Sequence, residues 1–310
     1  MRTQFASDVR AGLLRDGQKE LHSKYFYDDL GSALFEAITV LAEYGLTRAD
    51  LRLLETHAPA IAAALSPAVR VIEMGSGSGR KTRLVIEAVG PRVSHYAPID
   101  VSRAALERCE RELAGLTRVR PIQGAYLDGM RQGVAGRADG ETLLVLFLGS
   151  NIGNFERRCA DEFLLELRQH LEPGDALLLG ADLVKPRAQL LAAYDDAAGV
   201  TAAFNLNLLG RVNRELDGDF DLRAFEHVAL YNETDQRVEM HLRSRIEQTV
   251  EIRGAECAVR FEPGETIWTE SSHKFELAGL ARMADDSGFR TSAVWVDEVW
   301  PFAECLWMAV

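Results

Sequence analysis

Residues 71–79 read Val-Ile-Glu-Met-Gly-Ser-Gly-Ser-Gly: an apolar run, an acid, then glycine at every second position. A chain leaving a strand through such a segment turns tightly, and Gly75, Gly77 and Gly79 let its backbone approach a ligand where a Cβ would collide. The next apolar run, Tyr96-Ala-Pro-Ile-Asp100, closes on a second acid. An acid about 20 residues past a glycine loop is placed to accept hydrogen bonds from ribose hydroxyls.

Four readings of this loop stand side by side. A dinucleotide fingerprint needs glycine at position 80, where the chain has Arg80. A phosphate-cradling P-loop would end in Gly-Lys-Thr, and here the end is Arg80-Lys81-Thr82; the apolar run Leu143–Leu148 also ends without a magnesium-binding acid. A plain tight turn needs no ligand at all. The whole pattern, strand, Glu73, glycine loop and distal acid, resembles motif I of the class I S-adenosylmethionine (SAM) methyltransferases.

The loop opens a long alternation. Strands are expected at Val69–Met74, Val93–Ile99, Val119–Gln123, Leu143–Leu148 and Ala176–Leu179, with helices at Arg80–Val89, Ser102–Leu113 and Glu156–Leu171. Alternating β and α segments predict a parallel, doubly wound sheet with its ligand at the carboxyl ends of the strands. Residues before about 65 read as helical: Leu51, Leu54, His57, Ile61 and Leu65 recur at helical spacing, and Thr47-Arg-Ala-Asp50 has the form of a capping box. Residues 187–216 read as two helices. Residues 225–275 switch to alternating runs such as Arg237-Val-Glu-Met-His-Leu, which predict an antiparallel sheet. A helix near 276–287 and strands at Arg290–Val296 and Glu304–Met308 would complete seven strands. The expectation is an α/β fold: a Rossmann-like methyltransferase domain of residues 66–199 and 276–310. A second, α+β domain of residues 1–65 and 200–275 would bind the substrate, in a cleft between the two.

Composition narrows the partners. The 310 residues carry a net charge of −12, which disfavours nucleic acid and anionic membrane surfaces. Cys109, Cys159, Cys257 and Cys305 are scattered without a CxxC pair, so neither a zinc site nor a disulfide framework is expected, and a cytoplasmic setting fits. No signal peptide and no membrane span are expected. No metal is expected, and a monomer is.

Seven segments outside the glycine loop carry a more specific resemblance. They are Tyr25-Phe-Tyr-Asp-Asp-Leu-Gly-Ser-Ala-Leu-Phe, Glu43-Tyr-Gly-Leu-Thr-Arg, Phe147-Leu-Gly-Ser-Asn-Ile-Gly-Asn, Tyr194-Asp-Asp-Ala-Ala-Gly-Val-Thr-Ala-Ala-Phe-Asn, Phe225-Glu-His-Val-Ala, Val238-Glu-Met-His-Leu and Thr269-Glu-Ser-Ser-His-Lys-Phe. In this order, across nearly the whole chain, they resemble the SAM-dependent L-histidine Nα-methyltransferases of ergothioneine biosynthesis. The resemblance implies that Asn154 and Tyr194 hold the substrate carboxylate and that Glu270 and Ser272 bond the imidazole. It implies that Tyr44 orients that ring, that Tyr27 and Phe35 border the α-amine, and that Gly149 and Met240 shape the pocket. For the cofactor it implies Gly75, Ser76 and Gly77, with Lys81 nearby, Asp100 on the ribose and Tyr126 after the third strand.

Two departures are visible. Where the family often has an acid–aromatic pair contacting the adenine amine, this chain reads Ala125-Tyr126. The family's Pro-Glu-Tyr-Tyr-Pro is Ala42-Glu-Tyr-Gly-Leu, which keeps one tyrosine, Tyr44.

The chemistry implied is in-line transfer of a methyl group to an unprotonated amine, which asks the protein chiefly for positioning. Tyr27 is the candidate to accept the amine proton, although a phenol is a weak base. Tyr27, Phe35 and Tyr44 would offer aromatic faces to methylated, cationic products. Without the resemblance, Tyr27 and Tyr44 read as half-buried core, Asn154 as a turn residue, Glu270 as an exposed edge carboxylate and Met240 as filler. His241 and His273 read as structural, and Asp195 and Asp196 as solvated or capping. The expected activity is trimethylation of the α-amine of L-histidine to hercynine. The alternatives are the same chemistry on tryptophan or tyrosine, or a SAM-binding regulatory protein without turnover.

Overall fold

The strand that feeds the glycine loop is buried along its whole length, as a central strand covered on both faces must be. It belongs to a computed structural model that describes residues 2–310. In chain order the elements are α1 (Arg2–Leu14), β1 (Lys19–Glu20), α2 (Asp29–Thr39), α3 (Leu46–Ala63), β2 (Val69–Met74), α4 (Arg80–Val89), β3 (Val93–Asp100) and α5 (Arg103–Glu112). They continue with β4 (Ile122–Gln123), α6 (Tyr126–Val134), β5 (Thr142–Phe147), α7 (Arg157–Arg168), β6 (Ala176–Asp182), α8 (Arg187–Tyr194) and α9 (Val200–Leu216). The last are β7 (Phe225–Asn232), β8 (Arg237–Ser244), β9 (Gln248–Ile252), β10 (Cys257–Phe261), β11 (Thr266–His273), α10 (Leu277–Asp286), β12 (Phe289–Asp297) and β13 (Phe302–Ala309).

The chain divides into two compact units. The sheet unit, residues 45–184 and 273–310, holds seven strands in the order β12-β13-β6-β5-β2-β3-β4. Strands β2 to β6 pair in parallel, and β13 runs antiparallel to both β6 and β12. The order reverses between β2 and β5, so the glycine loop after β2 and Gly149 after β5 leave the sheet at its topological switch point, where open α/β sheets bind ligands. One face packs Ile72, Val145, Phe147, Phe163 and Trp307; the other packs Leu54, Ile61, Val71, Val85 and Leu146.

The second unit, residues 1–44 and 185–272, combines α1, α2, α8 and α9 with a four-stranded sheet ordered β1-β11-β8-β7 and a β9–β10 ladder. The antiparallel pairing expected for 225–275 is present in β7–β8 and β9–β10, while β1 joins β11 in parallel.

Several expectations shift. The boundary near 65 moves to 44, because Leu54, Ile61 and Ala62 of α3 fill the core against Val69 and Val71 of the sheet. The boundary near 199 moves to 184: α8 buries Leu190, Ala193 and Tyr194 in the other unit. The boundary at 275/276 moves to 272/273. Thr47 and Asp50 form no capping box. The helix starts at Leu46 after Gly45 without a side-chain cap, and Asp50 lies fully buried within it. The strand expected over Val119–Gln123 is reduced to Ile122–Gln123, with Val119 making an isolated bridge to Tyr96. Helix α6, which follows at once, has no counterpart in the sequence reading.

Candidate functional site

The cofactor candidates converge in the sheet unit. Gly75 and Gly77 adopt φ of 77° and 52°. A Cβ on Gly75 would come within 2.6 Å of the Asn151 amide nitrogen and 3.1 Å of the Tyr126 hydroxyl, whereas a Cβ on Gly77 would meet nothing within 4 Å. The loop is therefore packed on one side and open on the other, as a cradle for a ligand requires. Ser76 is buried between them.

Asp100 ends β3 beside this loop. Its carboxylate accepts from the Gly77 N–H at 3.3 Å and the Ser102 N–H at 2.8 Å. Burial raises its pKa above the ordinary value, against the pull of those two bonds. Tyr126 starts α6, its ring edge-on to Phe147 at 5.4 Å and its hydroxyl near Gly75. Ala125 is the extended residue ahead of that helix and makes no side-chain cap, so no side-chain acceptor stands where the family's acid would.

Glu73, one residue before the loop, is buried and accepts from the Thr82 hydroxyl at 2.5 Å and from the Tyr96 hydroxyl. These bonds tie β2 to α4 and β3 behind the loop. Burial pushes the Glu73 carboxyl up to about 7, against the bonds from Thr82 and Tyr96 and the charge of Lys81.

Lys81 lies in the first turn of α4 and is committed within the protein. Its ammonium donates to Asp50 Oδ2 at 2.7 Å, and the same oxygen accepts the Gly149 N–H at 3.0 Å. A Cβ on Gly149 would lie 2.8 Å from the Lys81 nitrogen. Burial opposes the Lys81 charge, yet Asp50, Glu73 and Glu304 outweigh it and hold the pKa above the usual lysine value. Asp50 Oδ1 and both Glu304 oxygens are buried and meet no hydrogen-bond donor among the described residues. Burial and the adjoining Asp50 charge raise the Glu304 carboxyl well above the carboxylate range. Burial thus favours the protonated form of Glu304, while the nearby Lys81 charge opposes it. Asp50, Glu304 and Asn151 were not among the site residues expected from the sequence. Only their contacts reveal them.

The substrate candidates divide between the units. Gly149 and Asn154 belong to the sheet unit. Gly149 turns with φ 70°, and Asn154 stands exposed at the end of a short 3-10 turn, Asn151–Asn154. The remaining seven lie in the second unit. The Tyr27 and Phe35 rings meet edge-on at 5.7 Å, and each lies against Phe204 of α9, at 5.9 and 6.0 Å. Phe204 extends this aromatic group beyond the sequence reading. Tyr44 sits edge-on to Tyr194 at 6.4 Å, and the Tyr194 hydroxyl donates to Ser272 Oγ at 2.7 Å. Glu270 lies two residues before Ser272 on β11, and its carbonyl accepts from the Trp268 indole at 2.9 Å. Met240 is buried on β8, its carbonyl taking the Thr269 hydroxyl at 2.9 Å.

The rejected candidates have structural work. Asp196 accepts from the Val200 and Thr201 N–H groups at 3.0 and 2.7 Å, capping α9. His241 stacks on Trp268 and contacts Glu239. Among the described residues, no group of three or more His, Cys, Asp or Glu side chains could hold a metal ion. No described helix is long and apolar enough to cross a membrane.

Comparison with known proteins gives this geometry its context. A family model described as histidine-specific methyltransferase, SAM-dependent, matches residues 5–309. The chain is 41% identical over 301 residues to the histidine N-alpha-methyltransferase of Mycolicibacterium smegmatis, covering 95% of this chain and 92% of that protein. It is 32% identical to ergothioneine biosynthesis protein 1 of Neurospora crassa, covering 92% of this chain and 33% of the longer fungal protein. Among solved structures, the CurJ carbon methyltransferase aligns with a TM-score of 0.51 and 12% identity over 90% of this chain and 59% of that one, a likeness of fold alone.

Proposed function

Because the chain belongs to the histidine-specific, SAM-dependent methyltransferase family, we propose that it transfers methyl groups from SAM to the α-amine of L-histidine, three in succession, to give hercynine. Hercynine would feed ergothioneine biosynthesis, the process for which the Neurospora crassa relative is named. The observation that carries the reading is the Tyr194–Ser272 hydroxyl pair, with Glu270 on the same strand and Tyr44 against Tyr194. That is the polar equipment an amino acid with an N–H-bearing ring needs.

The fit of the cofactor rests on the open side of Gly77 and on Asp100 at the loop. Gly75, Ser76 and Gly77 would cradle it, Asp100 would take its ribose hydroxyls, and Tyr126 would border it. When bound, SAM supplies a methyl carbon on a cationic sulfonium, a leaving group that needs no further activation. The protein's own part is orientation and proton removal. Tyr194 and Asn154 would fix the substrate carboxylate, and the half-buried Glu270 would accept the imidazole N–H, a bond that a ring without that donor cannot make. The α-amine must present a lone pair, so it reacts unprotonated. Its nitrogen gains a carbon bond while the carbon–sulfur pair leaves with sulfur. Tyr27 would take the proton from the resulting ammonium, directly or through water, in the first two rounds; the trimethylated product has none to give. The faces of Tyr27, Phe35 and Phe204 would stabilise the methylated cations by about 0.5–2 kcal/mol each.

We assign the substrate to the small-molecule class, without nucleic acid, on the net charge of −12. The four unpaired cysteines support a reducing, cytoplasmic setting. Mass spectrometry of L-histidine incubated with SAM and the protein should show gains of one, two and three methyl groups. No gain on histidine, or gain on tryptophan alone, would overturn the assignment.

A further inference from the structure

Tyr194 is the last residue of α8, so its carbonyl belongs to the final turn, where no helical N–H is available. His227 on β7 fills that gap: its Nε2 lies 2.7 Å from the Tyr194 oxygen. The other ring nitrogen, Nδ1, lies 2.9 Å from Nδ2 of Asn205 on α9. That amide nitrogen is also 3.1 Å from the carbonyl oxygen of His241.

The second amide contact decides the direction of the whole chain of bonds. A carbonyl only accepts, so Asn205 must turn its NH2 group towards His241. The same NH2 group faces His227 Nδ1, which must therefore accept. His227 is then the neutral tautomer with hydrogen on Nε2, donating to Tyr194. Burial lowers its pKa, outweighing the Tyr194 carbonyl and the charges of Asp195 and Asp196. His241 is the other titratable ring nearby, and burial lowers its pKa too. A protonated His227 would set an N–H against the Asn205 amide hydrogens.

We propose that His227, oriented by Asn205, is a positioning residue for substrate binding: it pins the Tyr194 backbone so that the Tyr194 hydroxyl meets Ser272 and is held for the carboxylate of the amino acid. This rests on the reading of Tyr194 as a ligand of that carboxylate. The Tyr194 hydroxyl donates to Ser272 Oγ. When a carboxylate arrives, the Ser272 hydroxyl can rotate to donate to the phenol oxygen, and the phenol proton turns to the substrate. Both movements need the tyrosine main chain to stay put, and the 2.7 Å bond from His227 Nε2 holds its carbonyl. Asn205 is fully buried on α9, so the anchor itself is fixed.

The test compares wild type with His227→Leu and His227→Gln by titration with S-adenosylhomocysteine alone and then with L-histidine on the loaded protein, together with KM and kcat. Glutamine keeps an N–H near the position of Nε2; leucine does not. His227→Leu should raise the Kd and KM for histidine about tenfold or more, with the homocysteine-cofactor Kd unchanged and kcat at saturation within about twofold. His227→Gln should recover most of the histidine affinity. Unchanged histidine affinity in His227→Leu overturns the proposal, as does a parallel loss of both ligands in the two variants, which would mark a purely structural residue. Failure of glutamine to recover affinity also overturns it, because the N–H to Tyr194 would then not be what matters. Wild type that binds the cofactor product but no histidine would refute the substrate assignment itself, and the proposal with it.

Discussion

Replacing Glu304 by glutamine tests the charge state of the buried carboxyl pair beside the glycine loop. One ammonium, Lys81, serves two carboxyl groups, and it donates to Asp50. Asp50 Oδ2 is fully engaged by Lys81 and Gly149, while Oδ1 and both Glu304 oxygens meet no donor among the described residues. A proton on Glu304 repairs this, since it supplies the bond that Asp50 lacks. An amide of the same shape supplies it too. In the unfolded chain Glu304 ionises near its ordinary value of 4.5, and in the folded protein well above it. Its contribution to stability is therefore complete below the ordinary value and is lost as pH rises towards the folded pKa. Each pH unit within that window removes about 1.4 kcal/mol, so from pH 5 to pH 8 the ceiling is about 4 kcal/mol. Glutamine does not titrate. The melting temperature of Glu304→Gln relative to wild type should accordingly climb across this range, by roughly 2–4 °C for each kcal/mol. Near pH 5 the two proteins should melt within about 3 °C of each other. Thermal unfolding at each pH, followed by circular dichroism, reads the difference directly. A deficit in the variant that is large and constant from pH 5 to pH 8 would refute the reasoning. It would mean an ionised Glu304 paired with Lys81, whose loss costs about 3–5 kcal/mol as broken buried pairs do.

Two further substitutions separate the two ligands. Glu270→Ala should weaken L-histidine binding roughly 10- to 100-fold and leave SAM affinity unchanged, as loss of a charge-assisted bond predicts; equal loss of both in calorimetry would remove Glu270 from the substrate site. Asp100→Ala should do the reverse, weakening SAM by roughly 10- to 100-fold through loss of the ribose acceptor and of the bond to the Gly77 N–H, and unchanged SAM affinity would discredit the ribose assignment.

Much of the sheet unit was legible because its signals are local. Strand β2 and helix α4 match the sequence expectation residue for residue, since a mostly apolar strand, a glycine turn and a helical stripe each declare themselves within ten residues. Helix α6 escaped because Tyr126–Val134 carries Gly129 and Gly133, poor helix formers by propensity. Both have a packing reason: a Cβ would strike Ile99 at 2.4 Å from Gly129 and Ile72 at 3.0 Å from Gly133. The helix is held by close approach to the sheet, which no local propensity records.

The same distinction explains the site. Gly75 and Asp100 are candidates because a short motif carries them, and Tyr194 because the family resemblance does. Asp50 and Glu304 are 254 positions apart, and each has an innocuous local reading: Asp50 as the last residue of a capping box, Glu304 as one polar residue in an otherwise apolar strand. The register explains what the motifs do not. Glu304 pairs with Gly180 on β6, and a Cβ at Gly180 would lie 2.8 Å from Glu304 Oε1 and 3.2 Å from the Gly149 nitrogen. The absence of a side chain at Gly180 thus makes the space in which a buried acid can stand beside the Gly149 turn. Asp50 then reaches that turn from α3, and Lys81 reaches it from α4. A larger residue at 180 would expel the Glu304 carboxyl and leave Asp50 Oδ1 with no donor at all. The turn after β5, which presents Gly149 and leads to Asn154, is therefore held by the Asp50 carboxylate from α3, itself bonded by Lys81 from α4, and its geometry is a property of the folded sheet rather than of its own sequence.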